Sequence, residues 1–93
     1  MAIITIKSAA CVVAKEYPIK KIILFGSWAN NTNRERSDVD LIIEFTAPVS
    51  LITLSTIRLC LEDMLKLKVD IFHGPIRSDD LLDIDKTVAL YAL

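Results

Sequence analysis

A chain of 93 residues with 53% apolar residues, 25% charged residues, two Gly and three Pro excludes collagen-like, low-complexity and disordered classes. It predicts one compact unit over residues 1–93, burying about 60 to 70% of its unfolded surface and leaving no room for a separate recognition domain. A formal net charge of −1 and a pI of about 5.7 give no basic footprint, so direct nucleic-acid binding is not expected. Cys11 and Cys60 lie in apolar surroundings without metal-ligand spacing, which reads as two small buried hydrophobes in a reducing, cytoplasmic setting. The N-terminal stretch lacks a basic leader, and no run reaches the ~18 apolar residues of a membrane span, so no membrane partner is expected. Mean hydropathy is nevertheless +0.45, and excess apolar surface of this kind marks contact with another chain, in a homo- or hetero-oligomer.

Ile6, Ala9, Ala10, Val13, Ala14 and Tyr17 repeat with helical spacing and predict a first helix over 4–17, ended by Pro18. Residues 20–25 form a β-rich run that stops at Gly26-Ser27, a strand followed by a tight turn. Residues 26–37 make the one sizeable polar loop. From Asp38 the chain alternates, with Val39, Leu41, Ile43 and Phe45 on one face and Asp38, Asp40, Ile42 and Glu44 on the other, a second strand. Ser50 is placed to cap a helix through Leu51, Leu54, Ile57, Leu61, Met64 and Leu65. Residues 68–73 predict a third strand closed by Gly74-Pro75. Ser78 then caps a last helix on which Leu81, Ile84, Val88 and Tyr91 share one side. The fold class predicted is α+β, a small mixed three-stranded sheet with helices in the order α-β-loop-β-α-β-α.

The second and third predicted strands are joined by a helix and can lie parallel through a right-handed crossover, so both start at the same sheet edge. Asp38, Asp40 and Asp70 all gather there, and Gly26-Ser27 joins them if the first two strands are antiparallel. Asp38 and Asp40, two apart on a strand, project from one face with Cα atoms about 6 to 7 Å apart. Unit charges ~4 Å apart repel by about 4 kcal/mol at an effective dielectric of about 20, so such a cluster calls for a compensating cation. Few, hard oxygen ligands favour Mg²⁺, which shares its sphere among carboxylates, waters and phosphates. Gly26 lets the backbone approach a phosphate and Ser27 offers N–H and hydroxyl groups to its oxygens. Metal and phosphate together point to phosphoryl or nucleotidyl transfer.

The run Leu24-Phe25-Gly26-Ser27, the Ser37-Asp38-Val39-Asp40-Leu41 segment eleven residues after the Gly-Ser pair, and a strand bearing Asp70 resemble the DNA polymerase β-type nucleotidyltransferase superfamily. Within it they are most similar to the minimal nucleotidyltransferase (MNT) branch, over essentially the whole chain. The resemblance implies that Gly26 and Ser27 bind the triphosphate of ATP or another NTP and that Asp38, Asp40 and Asp70 are the catalytic carboxylates and Mg²⁺ ligands. It also implies that Asp70 lies near the incoming hydroxyl. Minimal members act as antitoxins of HEPN-domain ribonuclease toxins and transfer AMP to a toxin tyrosine, which implies a HEPN toxin as partner and substrate. The chain departs from the common Gly-Ser-x-Ala-Arg-Gly continuation, having Asn30-Asn31 in place of Arg-Gly. Asn tolerates positive φ, so Asn31 can keep the turn, while the loss of the Arg removes a triphosphate contact that Arg34 or Arg36 would have to replace.

Two competing functions follow from the same residues: a non-catalytic antitoxin that masks its partner by binding, and transfer to a small molecule, disfavoured by the lack of an additional C-terminal domain. His73 is expected to be a surface residue at a strand end, and Trp28 to pack rather than to stack on a base. Asp79, Asp80, Asp83 and Asp85 are expected to sit in the first turns of the last helix, where the helix dipole favours them.

Overall fold

The computed structural model describes residues 3–34, 37–74 and 87–93. Helix α1 (Ile3–Glu16) buries Ile6, Ala9, Ala10, Val13 and Ala14, the apolar stripe of its sequence. The Val13 carbonyl accepts the Tyr17 N–H at 3.1 Å before Pro18 stops the helix. Strand β1 (Ile19–Phe25) follows and leads into a single turn of helix, α2 (Ser27–Asn30). Strand β2 (Val39–Phe45) is antiparallel to β1, with Phe25 opposite Asp40 and Leu24 opposite Leu41. Helix α3 (Leu51–Leu65) is capped by the Ser50 hydroxyl, which accepts the Thr53 N–H at 3.1 Å, and ends in a left-handed Lys66. Strand β3 (Val69–His73) runs parallel to β2 and places Asp70 opposite Asp40.

Among the described residues the sheet has four strands rather than the three predicted. Strand β4 (Val88–Ala92) pairs antiparallel with β1, giving the order β3-β2-β1-β4. Val88 and Tyr91 therefore belong to a strand and not to the end of a last helix. The reason is tertiary: without β4 the β1 edge would present a row of unpaired backbone groups, and Val88-Ala-Leu-Tyr-Ala suits a pleated surface as well as a helix. The remainder of that predicted helix, with Ser78, Leu81, Ile84 and the four aspartates, lies outside the described residues, as does Pro75.

One hydrophobic cluster joins α1 and α3 to a single face of the sheet, through Ile6, Val13, Ile22, Leu24, Leu41, Ile43, Ile57, Leu61, Val69 and Leu90 among others. Alternation sends the intervening residues to the opposite face, which carries Ile23, Phe25, Asp40, Ile42, Asp70 and Phe72. Leu51 and Ile52, at 81% and 80% exposure, turn away from the core, and Met64 is exposed as well, so the predicted helical stripe holds at Ile57, Leu61 and Leu65 but not at Leu51 or Met64. Among the described residues no helix is long and apolar enough to cross a membrane.

Candidate active site

Strand registry places the candidate residues. Phe25 stands opposite Asp40, and Asp40 opposite Asp70, so one line crosses β1, β2 and β3 at the end of the sheet where Gly26 leaves β1. Gly26 has φ 76° and ψ −154°, a backbone region open essentially to glycine alone. A Cβ built there would collide with Asp40 Oδ2 and lie 3.4 Å from Asp40 Cγ. The glycine thus leaves the space that the Asp40 carboxylate occupies.

Beyond Gly26, α2 is one turn long, with the Asn30 N–H donating to the Gly26 carbonyl at 3.0 Å and the Thr32 N–H to the Ser27 carbonyl at 3.0 Å. N–H groups in the first turn of a helix have no acceptor within it, so Ser27 can offer both amide and hydroxyl to an oxyanion. Asn31 ends the turn at φ 58° and ψ 31°, the left-handed conformation that Asn adopts more readily than most residues.

Trp28 is 5% exposed and joins the core. Its Nε1–H donates to the Ser37 carbonyl at 2.9 Å. Ser37 also accepts the Arg34 N–H on its hydroxyl at 2.7 Å and donates its own N–H to the Arg34 carbonyl at 3.1 Å. The loop is therefore fastened to the residue before Asp38. Arg36 lies outside the described residues.

Asp38 is exposed, while Asp40 and Asp70 are half-buried. The Asp40 carboxyl is held above the usual carboxylate range, first by burial, then by the charges of Asp70 and Asp38. Among the described residues no group of three His, Cys, Asp or Glu side chains is placed to hold a metal ion, so the three-carboxylate cluster expected of Asp38, Asp40 and Asp70 is not assembled as such. What the register does bring together is the pair Asp40 and Asp70, half-buried and facing each other across β2 and β3, and such a pair suits a hard cation that completes its sphere with water and phosphate oxygens.

One side chain at this end of the sheet has no signal in the motif. Glu62, on α3, accepts the Val69 N–H on Oε2 at 2.9 Å and the Arg58 guanidinium on Oε1 at 3.1 Å. Its i, i+4 spacing from Arg58 reads in sequence as an ordinary surface pair. His73 lies at the other end, stacked on Phe45 with ring centroids 5.4 Å apart. A cavity of about 430 Å³ there is lined by Phe45, Thr46, Ala47, Pro48, Val49, His73 and Gly74. It contains none of the carboxylates that could do chemistry.

Residues 6–87 match the family described as the Nucleotidyltransferase domain. Two similar curated proteins come from Methanocaldococcus jannaschii, and both bear names that assign them as protein adenylyltransferases. MJ0126 is 40% identical over 66 residues, 66% of this chain and 67% of that protein. MJ0435 is 34% identical over 87 residues, 89% of this chain and 94% of that protein. The fold is shared with a toxin-antitoxin crystal structure containing AMP-PNP, at TM-score 0.77 and 19% identity, covering 94% of this chain and 73% of that one. It is also shared with the structure of a tri-AMPylated Shewanella oneidensis HEPN toxin in complex with MNT antitoxin, at TM-score 0.72 and 18% identity, covering 100% of this chain and 74% of that one.

Proposed function

The chain belongs to the nucleotidyltransferase domain family, and we propose that it transfers AMP from ATP to a tyrosine hydroxyl of a HEPN-type toxin, acting with Mg²⁺ as that toxin's antitoxin. The observation that carries this reading is the facing pair Asp40 and Asp70 on β2 and β3, with Gly26, the residue that leaves β1, packed directly against the Asp40 carboxylate. Relatives named for protein adenylyl transfer support a protein acceptor. So does the exposed apolar pair Leu51 and Ile52, which suits a protein surface better than water.

In this reading Asp38, Asp40 and Asp70 hold the cation, which when bound neutralises triphosphate charge and favours ionisation of the attacking hydroxyl. Ser27 donates its amide and hydroxyl to phosphate oxygens, and Gly26 lets them approach the backbone. Asp70 receives the proton of the tyrosine hydroxyl as its oxygen bonds to the α-phosphorus. The bond from that phosphorus to the bridging oxygen breaks, and pyrophosphate leaves.

The test is to incubate the chain, ATP labelled at the α-phosphate, Mg²⁺ and a purified HEPN-type toxin. Label should move to the partner with the native chain and not with Asp38→Ala. Neutralisation of the toxin that survives Asp38→Ala without any label transfer would replace this reading with masking by binding alone.

A further inference from the structure

Val69 precedes Asp70 on β3, which among the described residues is an edge strand of the sheet. The Val39 N–H donates to the Lys68 carbonyl at 2.9 Å, which turns the polar groups of residue 68 toward β2. Alternation then points the Val69 N–H away from the sheet and the Asp70 N–H back into it. An outward N–H at an edge ordinarily meets water or a stray strand. Here it meets the carboxylate of Glu62, which is only 22% exposed on its side chain and is anchored by Arg58 on its other oxygen.

We propose that Glu62 is a positioning residue that fixes the register of β3, so that Asp70 faces Asp40; its effect on catalysis rests on the nucleotidyl-transfer reading above. A shift of one residue would send Asp70 toward the core and Val69 toward the carboxylates, because side chains alternate with a period of two. Asp40 and Asp70 stand directly opposite each other on β2 and β3, and like charges so placed press the start of β3 away from β2. Backbone pairing on the inner side and Glu62 on the outer side hold the strand against that push. Glu62 touches neither substrate nor reacting atoms and acts through the backbone of Val69.

The test compares the native chain with Glu62→Ala, Glu62→Gln and Arg58→Ala. Amide exchange at Val69 and Asp70 and cross-strand nuclear Overhauser effects between Asp40 and Asp70 report the register directly. Glu62→Ala should speed exchange at both amides by about tenfold and weaken those cross-strand signals, with distant core amides unchanged. Its kcat for nucleotidyl transfer should fall by about 10²-fold, as expected of a catalytic group displaced by about 1 Å, while KM for ATP changes less than about threefold. Glu62→Gln keeps an acceptor oxygen for Val69 and should restore both readouts. Arg58→Ala removes the ion pair but leaves the bond to Val69, and should stay within about threefold of native.

Unchanged exchange and cross-strand signals in Glu62→Ala would overturn the proposal. So would an Arg58→Ala variant that reproduces every loss, since the ion pair alone would then be responsible. A native chain that transfers no nucleotide would overturn the function proposed above, and the exchange and cross-strand measurements would still decide the role of Glu62.

Discussion

Gly26 and Asp40 occupy one volume between them: the glycine supplies no Cβ, and the Asp40 carboxylate fills the space a Cβ would take. The pair links two distant stretches of sequence through the β1–β2 register, in which Phe25 faces Asp40. It also explains why a glycine is needed at this turn for two independent reasons, a φ of 76° and the nearness of an acidic side chain.

Gly26→Ala separates these reasons experimentally. Its backbone conformation should lower stability by about 1 to 3 kcal/mol, seen as a fall of about 4 to 8 °C in Tm per kcal/mol for a domain of this size. Nucleotidyl transfer should fall by about 10²-fold even at temperatures where the variant is folded, because the new methyl group displaces the Asp40 carboxylate. A folded variant with native transfer rates would show that Asp40 need not sit where the structure puts it.

Asp40 also sets a pH dependence with a definite sign. Its folded-state pKa is raised by burial and by Asp70 and Asp38, so the folded chain keeps a proton that the unfolded chain has released. The stability this contributes is complete below the ordinary carboxylate pKa of about 4 and is lost as pH rises through the raised folded value. In metal-free buffer, Asp40→Asn should therefore flatten the stability profile over that window and melt no lower than native at neutral pH. Added Mg²⁺ should stabilise the native chain, by about 2.7 kcal/mol at a hundredfold excess over Kd, and leave Asp40→Asn unmoved. Calorimetry across pH, with and without the cation, reads all of these outcomes.

Much of this architecture is legible locally. The period-two pattern from Val39 to Phe45 puts Asp40 opposite the core face, Ser50 announces α3, and the connection through α3 makes β2 and β3 parallel, which brings Asp70 beside Asp40. Strand β4 is not legible in the same way. Val88 and Tyr91 fit a helical stripe with Leu81 and Ile84 as well as they fit a strand, and only the open edge of β1 decides between them. Glu62 is hidden for a related reason: its pairing with Arg58 is local, whereas its bond to Val69 depends on how the turn after α3 returns to the sheet.

Asn31 allows a test of backbone conformation alone. It is exposed and left-handed, with φ 58°. Asn31→Ala should lower stability by about 1 kcal/mol, because a Cβ without a compensating polar group disfavours this region. Asn31→Gly should equal or exceed the native stability. Thermal melts of the two variants measure the difference, and a glycine variant less stable than the alanine one would contradict the conformational argument.

Trp28 is where packing and chemistry meet, since its ring is buried while its N–H holds the Ser37 carbonyl next to Asp38. Trp28→Phe keeps an aromatic ring in the core and deletes the donor, so the hydrogen bond alone should be worth about 1 kcal/mol of stability. Trp28→Ala, which also opens a cavity, should lose about 3 to 5 kcal/mol. The kinetic pattern distinguishes a fastener from a base-stacking platform. A ring stacked on the nucleobase would place the Trp28→Phe defect in KM and make it depend on which base the nucleotide carries. A buried ring that steadies the start of β2 should instead lower kcat, leave KM for ATP within about threefold, and affect ATP and GTP alike. Steady-state kinetics with both nucleotides therefore decide whether this indole serves the substrate or the strand that carries Asp38 and Asp40.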